Sequence, residues 1–465
     1  MSMKKSLVIT ALVTALSTAS VSSITAAPAT QGAIQSIPLL INQSHTTARS
    51  VEVNGVPMFS LRDLGTAAHI YFAVEGKSVV AWDGLNRVEL SNNSAAARKN
   101  GSPVTLRHGM VKVDQSYFIA LEDFLFLFDA DLEQGASGTA SISTVQKLKG
   151  ADRAVWIDAR RLLASQITDE GRVDYIVDAA SGVYAELMTS DDASDLVVAP
   201  SGKLAVYTLE DGSVHLVNLI TLASSQLSAD DTIKTELVWA ADSSAIYFLQ
   251  GDKGSVIAKI SPMTGSISKV LEDKVDYKSN LAVSKDGKSF YYSVVKPGAV
   301  KTDSAASVDD DEVSIDMTGT EPQIYYYDAA AEEPKPIALT SDTNDKWLIG
   351  AAGDGSKAYY ISIEDGQRSK LISIGRNQQA TTLLRGGEVL YAVMAGSSLY
   401  VVVDEQGEES IYELKTATDA ATKLYALPES FTHLVAGPGT PLAVLTDNHV
   451  HVNRDGQWMS VIKQP

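Results

Sequence analysis

LVVAPSGKLAVYTL, residues 196–209, is the clearest member of a set of related stretches that recurs through the second two-thirds of the chain. Each member joins a short apolar run, a turn of small or acidic residues and a longer apolar strand. The copies start at Val155, Leu196, Leu237, Leu281, Leu348, Leu390 and Leu434, so successive starts lie 41, 41, 44, 67, 42 and 44 residues apart. Recurrence at such a period predicts a repeat architecture.

Each copy is followed by a second half in which an apolar run meets a polar turn and another apolar strand. The unit therefore has four strands in about 40 to 45 residues, which is the size of one β-propeller blade. The turns at Ser201-Gly202 and Asp286-Gly287 supply the positive φ angles that tight hairpins need. We expect a mainly β protein in which residues 151–465 form seven blades, or six if the degenerate copy at Val155 only completes another blade.

The blade pattern resembles the WD40-like propeller repeats of the TolB type. In those repeats an apolar residue, a Ser or Ala, and an Asp-Gly or Ser-Gly turn precede a strand with two apolar residues and a Tyr. The chain lacks the Gly-His and Trp-Asp pairs of true WD40 repeats. The resemblance covers about residues 151–465 and implies a closed ring of blades.

The first residues have the order of a secretory signal peptide. Lys4 and Lys5 precede an apolar run, and small residues follow it. Residues 1–29 are therefore expected to be removed by cleavage near Ala26 or Ala29. The chain contains no cysteine, which argues against a lipid-modified leader and against disulfides. We expect a secreted, extracellular protein that associates with the cell wall and does not span a membrane.

A smaller α+β domain is predicted over residues 35–133. The segments 51–90 and 104–133 share an order of strands around a short amphipathic helix, the first helix near Leu61 and the second near Leu121, which indicates a duplicated unit. Residues 134–150 begin with a stretch rich in Gly, Ser and Ala and are predicted to form a linker to the propeller.

Four short matches in this domain resemble the copper amine oxidase N-terminal domain-like stalk module of secreted Gram-positive proteins. They are Val53-Asn54-Gly55, Ser60-Leu61-Arg62, Ala67-Ala68 and Trp82-Asp83, with Ser60 in place of the usual Pro. The resemblance implies a spacer or docking module. In the amine oxidases the copper and quinone chemistry belongs to a separate domain, so no amine oxidase activity is expected.

The charge of the chain limits its partners. The net charge is −19, and loss of Lys4 and Lys5 from the 38 basic residues leaves 36 against 57 acidic residues, a net charge of −21. Nucleic-acid binding depends on clustered Lys and Arg, and the sequence has no basic run. We expect no nucleic-acid partner. Anionic polymers are repelled on average, although a local patch can still bind them.

The acidic insertion at residues 296–321 accounts for the long spacing of 67 and holds two basic and seven acidic residues. Its composition favours a solvated loop. Calcium binding by Asp309, Asp310, Asp311 and Asp316 is the alternative, because hard cations take clustered carboxylates, but the spacing fits no known calcium loop.

His449 and His451 alternate along a predicted strand, so both imidazoles face one way, as a pair of metal ligands would. The sequence offers no third ligand near them. A solvated or packed pair is the favoured interpretation, and no metal or cofactor site is assigned.

Searches for nucleophile, zinc and phosphate-loop motifs find none, so no catalytic residue is assigned. The Tyr-rich strands at 291–292, 325–327 and 359–360 favour packing between blades over a surface on which sugars stack. The main prediction is a monomeric, non-enzymatic binding or scaffolding protein of the bacterial cell surface, with a protein or a cell-wall glycan as partner. The alternative is an extracellular carbohydrate-active enzyme, hydrolase or lyase, with a loop-built site in the propeller mouth.

Overall fold

The computed structural model describes residues 32–42, 44–76, 78–83, 85–134, 140–301, 314–428 and 430–463. The predicted signal peptide at 1–29 and the carboxylates Asp309, Asp310 and Asp311 lie outside these residues. The chain divides into two compact units. Among the described residues, the first consists of residues 32–149, 178–184 and 451–463, and the second consists of residues 150–177 and 185–450. The predicted bounds 35–133, 134–150 and 151–465 stay predictions.

An eleven-stranded sheet and two short helices form the described N-terminal part of the chain, from residue 32 to residue 143. The elements are β1 (Gln35–Ile41), β2 (Ser44–Val53), β3 (Val56–Ser60), α1 (Leu61–Ala67), β4 (Tyr71–Glu75), β5 (Ser78–Trp82), β6 (Arg87–Ser91), β7 (Ser94–Lys99), β8 (Ser102–Val113), β9 (Ser116–Ala120), α2 (Leu121–Leu127), β10 (Asp131–Gln134) and β11 (Ala140–Ser143). The strand order is β10-β11-β1-β2-β3-β9-β8-β7-β6-β5-β4, with β1 and β11 parallel. Leu61 and Leu64 of α1 and Phe124 of α2 belong to one hydrophobic core with the sheet.

The predicted duplication is visible in this sheet. The units β2-β3-α1 and β8-β9-α2 meet where β3 pairs with β9. The third residue of each helix is an aspartate that binds backbone N–H groups of its own unit: Asp63 accepts from Arg49 N at 3.0 Å, and Asp123 accepts from Arg107, His108 and Gly109 N at 2.7, 2.9 and 3.1 Å. An acidic residue in the first turn also suits the partial positive charge of a helix N-terminus.

Strand β11 lies inside the segment that was predicted to be a linker. Ser141 and Ile142 pair with β1, and the same strand pairs with β10. The sequence pattern did not indicate this strand, because Ile142 is the only large apolar residue in it.

Seven four-stranded antiparallel sheets follow, and they confirm the seven-bladed propeller. In chain order they are β12 (Arg153–Trp156), β13 (Arg161–Thr168), β14 (Gly171–Asp178) and β15 (Tyr184–Ser190); β16 (Val197–Val198), β17 (Leu204–Thr208), β18 (Val214–Asn218) and β19 (Ser224–Ser228); β20 (Lys234–Trp239), β21 (Ile246–Gln250), β22 (Val256–Ile260) and β23 (Ile267–Glu272); β24 (Lys278–Val283), β25 (Ser289–Val294), β28 (Gln323–Asp328) and β29 (Ile337–Ala338); β30 (Asp345–Ala351), β31 (Lys357–Ile363), β32 (Lys370–Gly375) and β33 (Ala380–Leu383); β34 (Glu388–Ala395), β35 (Ser398–Glu405), β36 (Glu408–Lys415) and β37 (Ala420–Ala426); β38 (Phe431–Val435), β39 (Ala443–Thr446), β40 (His449–Arg454) and β41 (Gln457–Ile462). The copy at Val155 has a complete blade of its own, so the count is seven rather than six.

The first strand of each blade borders the propeller axis. The first strands of neighbouring blades from the second to the seventh contact one another, and β12 of the first blade contacts β38 of the seventh, which closes the ring. Two indoles bridge neighbouring first strands: Trp156 Nε1 donates to Val435 O at 3.3 Å, and Trp239 Nε1 donates to Val197 O at 2.8 Å. The turn at Gly202 has a φ of 66°, and a side chain there would meet Ile157 O of the neighbouring blade.

Three first strands begin near a buried lysine. Its ammonium group binds the loop that precedes the strand. Lys234, Lys278 and Lys346 each have a fully buried side chain. Their Nζ atoms contact Asp230, Asp273 and Asp342 at 2.7, 2.7 and 2.9 Å, and backbone carbonyl oxygens take the remaining donors. These lysines stand two or three residues before Leu237, Leu281 and Leu348, so they belong to the repeat.

The two ends of the acidic insertion pair with each other as two antiparallel strands. Strands β26 (Ala299–Lys301) and β27 (Ser314–Asp316) pair antiparallel in a separate two-stranded sheet between β25 and β28. The described part of the insertion is therefore more ordered than the solvated loop that its composition predicts. Among the described residues, no helix is long and apolar enough to cross a membrane.

Candidate functional site in the propeller channel

Bulges shape the wall of the channel. The first strands of the third to seventh blades, β20, β24, β30, β34 and β38, each show a shift of register against their second strands. A bulge re-aims side chains and is common next to active sites. Glu236 and Asn280, inside the first two bulges, have the left-handed backbone that non-glycine residues seldom adopt, with φ of 53° and 54°. Glu236 Oε2 accepts from Leu281 N at 2.8 Å and so links the two strands.

Aromatic side chains follow one another on the first strands of blades five to seven. The Tyr391 ring meets Trp347 at 5.7 Å, Phe431 at 6.1 Å and the His433 imidazole at 5.9 Å between ring centres, in edge-on geometry. Trp347 is 41% exposed although it lies on a first strand. This aromatic row, Trp347, Tyr391, Phe431 and His433, is an apolar surface that the protein itself does not cover completely.

Charged residues of the first two blades stand near one end of this row. Arg153 Nη1 lies 3.2 Å from Asp195 Oδ2, and Arg172 Nη1 lies 3.5 Å from Asp195 Oδ1. Asp195 precedes the first strand of the second blade, and its side chain is 58% exposed. Two guanidinium groups thus share one exposed carboxylate.

Hydrogen bonds to Asp174 and to a backbone carbonyl fix the position of Arg172. Its Nε donates to Asp174 at 3.1 Å and its Nη1 to Ala193 O at 2.9 Å. Asp174 is fully buried and also accepts from Ser165 Oγ at 2.6 Å. In the described part of the chain, Arg172 Nη2 is buried without a hydrogen-bond partner.

These groups line a cleft of about 480 Å³. Its wall consists of Asp152, Arg153, Ala154, Val155, Ser165, Ile167, Arg172, Asp195, Tyr391, Val393, His433, Leu434, Val435, Ala436 and Leu445. Asp152 has both carboxylate oxygens engaged, since Oδ2 accepts from Ile167 N at 2.7 Å and Oδ1 from Asn448 Nδ2 at 2.8 Å. Burial raises the pKa of Tyr391, so its hydroxyl keeps its proton at neutral pH and can donate to a ligand.

A second cleft, of about 930 Å³, adjoins the first through Asp195. It is acidic: besides Asp195 it is lined by Asp191, Asp192, Glu210 and Glu236. Its one lysine, Lys234, is the buried residue described above, whose donors are already used.

The histidines and aspartates considered as metal ligands do not form such a site among the described residues. His449 and His451 lie on β40, and Asp316 ends β27. No group of three His, Cys, Asp or Glu side chains that could hold a metal ion occurs in the described ranges.

The Tyr-rich strands lie inside the blades, as predicted. Tyr291, Tyr292 and Tyr359 are completely buried, and Tyr292 stacks on Tyr325 at 5.8 Å between ring centres. They are packing residues, not a surface for sugars.

The sequence did not single out the residues that line the cleft. Arg153 and Asp195 precede two repeat starts by two and one residues, and Tyr391 and His433 also lie within one residue of a start. Because repeat starts lie on first strands, polar and aromatic residues near the starts were the available signal.

No family model matches this chain, and no curated protein is similar to it in sequence. Solved structures with a similar fold include TolB from Acinetobacter baumannii, at 15% identity and a TM-score of 0.38, over 57% of this chain and 63% of that one. They also include an oligogalacturonate lyase in complex with manganese, at 11% identity and 0.46, over 72% and 96%. A third is the acylaminoacyl peptidase of Pyrococcus horikoshii, at 12% identity and 0.46, over 67% and 52%. The chain thus spans less than two thirds of TolB and about half of the peptidase.

The seven four-stranded sheets make the fold a seven-bladed β-propeller. The prediction of a non-enzymatic binding or scaffolding protein is wrong as the main interpretation, because the proteins that share the fold include a lyase and a peptidase. At these identities the likeness shows the fold alone. A function has to be argued from the cleft.

Proposed function

We propose that this protein is a carbohydrate-active enzyme, a hydrolase or a lyase, whose active site is the 480 Å³ cleft of the propeller channel. One observation supports this most: the cleft joins part of a half-exposed aromatic row to an exposed carboxylate and two guanidinium groups. Sugars present apolar C–H faces and a rim of hydroxyls, which suit aromatic rings and planar charged groups respectively.

Asp195 and His433 are the proposed catalytic residues. Asp195 is the cleft carboxylate that a ligand can reach, because its side chain is 58% exposed although its oxygens contact Arg153 and Arg172, and we assign it the role of base or nucleophile. His433 is exposed and lines the same cleft, and an imidazole can deliver a proton to a leaving oxygen. Asp152, with both oxygens occupied by Ile167 and Asn448, is a positioning residue at the seam of the first and last blades.

The assay starts from a panel of soluble polysaccharides and measures new reducing ends together with the ultraviolet absorbance of an unsaturated product. A rise in reducing ends alone identifies a hydrolase, and a rise in both identifies a lyase. Asp195→Asn and His433→Gln are each expected to lower turnover by about 10²- to 10⁴-fold, the usual contribution of a general acid or base.

The matched control is Asp365→Asn, since Asp365 is exposed in the turn between β31 and β32 and lies outside the cleft. It should keep full turnover. The proposal fails if no polysaccharide is cleaved, or if the Asp195 and His433 variants are as active as the control.

We also propose that the protein is exported to the cell surface, is monomeric and uses residues 35–133 as a stalk of the copper amine oxidase N-terminal type. The leader order at Lys4 and Lys5 and the matches around Val53 and Trp82 support this. A glycan is the proposed partner, and the charge of −21 disfavours nucleic acid. Mass spectrometry of the secreted protein would locate the cleavage expected near Ala26 or Ala29, and light scattering would give its mass.

A further inference from the structure

Arg153 has unused hydrogen-bonding capacity in the cleft. It is the first residue of β12, and its side chain is 35% exposed. Among the described residues its polar contact is with Asp195 alone, through Nη1 at 3.2 Å. A guanidinium has five N–H donors in a planar fork, so most of the donors of Arg153 face the cleft or solvent without a protein acceptor.

Arg172, the second guanidinium, serves a different purpose. Its side chain is only 11% exposed, and the fully buried Asp174 balances its charge. Nε and Nη1 are occupied by Asp174 and Ala193 O. Arg172 therefore fixes the position of Asp195 from behind, while Arg153 is the guanidinium that a ligand can reach.

Asp195 is left as the exposed counter-ion of Arg153, and it is shared with Arg172. A ligand carboxylate can bind the free edge of Arg153 in the two-pronged geometry that guanidinium groups favour. On the function proposed above, we propose that Arg153 selects saccharides that carry a carboxylate, that is, uronic acids, and that a neutral sugar of the same shape binds less well.

The net charge of −21 does not oppose this selection at close range. Interactions between exposed charges are screened beyond about 8 Å at physiological salt, whereas a ligand on Arg153 is in direct contact with it. Tyr391 and His433, which line the same cleft, provide an aromatic surface for the sugar ring, which a bare anion such as phosphate would not use. The site therefore fits an acidic sugar rather than a small anion.

The test is calorimetric binding of glucuronate and galacturonate oligosaccharides to the full chain. Each is compared with the same oligosaccharide after reduction of its carboxyl groups. The wild type should bind the acidic form about 10- to 100-fold more tightly, the usual range for hydrogen bonds to a charged group. Arg153→Gln should abolish that preference. Arg153→Lys keeps the charge without the planar fork and should show an intermediate preference.

Arg368→Gln is the matched control, because Arg368 is exposed and lies outside the cleft, and it should keep the wild-type preference. Melting curves verify that each variant is folded. Equal binding of acidic and reduced sugars by the wild type, or a preference that survives in Arg153→Gln, overturns this assignment while the carbohydrate function stands. Failure to bind any saccharide overturns the proposed function as well.

Discussion

The N-terminal sheet and the propeller are both built from repeated sequence, yet they treat their charged residues differently. In the sheet, Asp123 is 3% exposed and accepts three backbone N–H groups, and Asp63 accepts from the backbone and side chain of Arg49. In the channel, Asp195 is 58% exposed and its side chain contacts only two guanidinium groups. A charge whose hydrogen bonds are all made within its own structural unit holds a fold together. A charge with spare capacity in a cleft can meet a ligand.

The buried lysines of the blades resemble the aspartates of the sheet rather than the channel residues, because their donors are used within the fold. Lys278 Nζ binds Asp273 Oδ1 at 2.7 Å, Ser255 O at 2.8 Å and Val275 O, with its side chain fully buried. Substitutions at both kinds of residue test this division between groups that stabilise the fold and groups that can reach a ligand.

Lys278→Met should cost about 3 to 5 kcal/mol of unfolding free energy, because removal of one buried partner leaves the carboxylate of Asp273 and two carbonyl groups without their donor. Denaturant unfolding measures the loss. The control is Lys269→Met, since the side chain of Lys269 is 57% exposed in its pair with Glu272, and it should change stability by less than about 1 kcal/mol. Equal losses in the two variants would contradict the structural role of the buried lysine.

Asp123→Ala should cost about 3 kcal/mol, because the N–H groups of Arg107, His108 and Gly109 lose their shared acceptor. Hydrogen exchange of these three amides should speed up before that of the propeller strands does. Glu122→Ala is the control. Glu122 lies next to Asp123 in α2, but it contacts the exposed side chains of Arg107 and His108. A loss as large as that of Asp123→Ala would therefore contradict the comparison.

Asp63→Asn should cost about 2 kcal/mol near neutral pH, since hydrogen bonds to a charged group are worth more than neutral ones. The hydrogen bond from Arg49 lowers the pKa of Asp63 below that of the unfolded chain. The stabilisation is thus complete above about pH 4, the ordinary range of an aspartate, and is lost as the pH falls through the lower folded value. Wild type and variant should therefore converge in acid. A gap that stays constant down to the acid transition would show that the charge of Asp63 contributes nothing.

Tyr391→Phe should change stability by less than about 0.5 kcal/mol, because no hydrogen bond of the Tyr391 hydroxyl occurs among the described residues and the ring remains. If the cleft is the active site, turnover should still fall by about tenfold, the value of one hydrogen bond. Tyr359→Phe is the opposite case. The buried Tyr359 hydroxyl has two acceptors for its one proton, Thr416 O at 3.0 Å and Asp419 Oδ1 at 2.8 Å, so stability should fall and turnover should not. The reverse pattern would exchange the roles of the two tyrosines.

Much of the architecture was readable from the chain. The helices predicted around Leu61 and Leu121 are present as α1 and α2, and all seven repeat starts fall on or beside first strands. These features depend on local periodicity and turn residues, which the sequence displays directly. Strand β11 escaped prediction, since its pairing with β1 joins residues about a hundred positions apart and leaves no local pattern.

The sequence by itself determined the repeat period, the duplicated N-terminal unit, the acidic charge and the absence of linear catalytic motifs, because each is a property of neighbouring residues or of their sum. It left seven and six blades open, and the structure decided for seven. Only the tertiary structure decided which polar residues are hydrogen-bonded within the fold and which can still bind a ligand. In the sequence, Arg153 and Asp195 are 42 positions apart, and Tyr391 and His433 are far from both. Ring closure brings β12 against β38 and so brings these residues together in space. A site assembled from four blades has no signature in any one of them, since its geometry comes from how the blades pack around the axis.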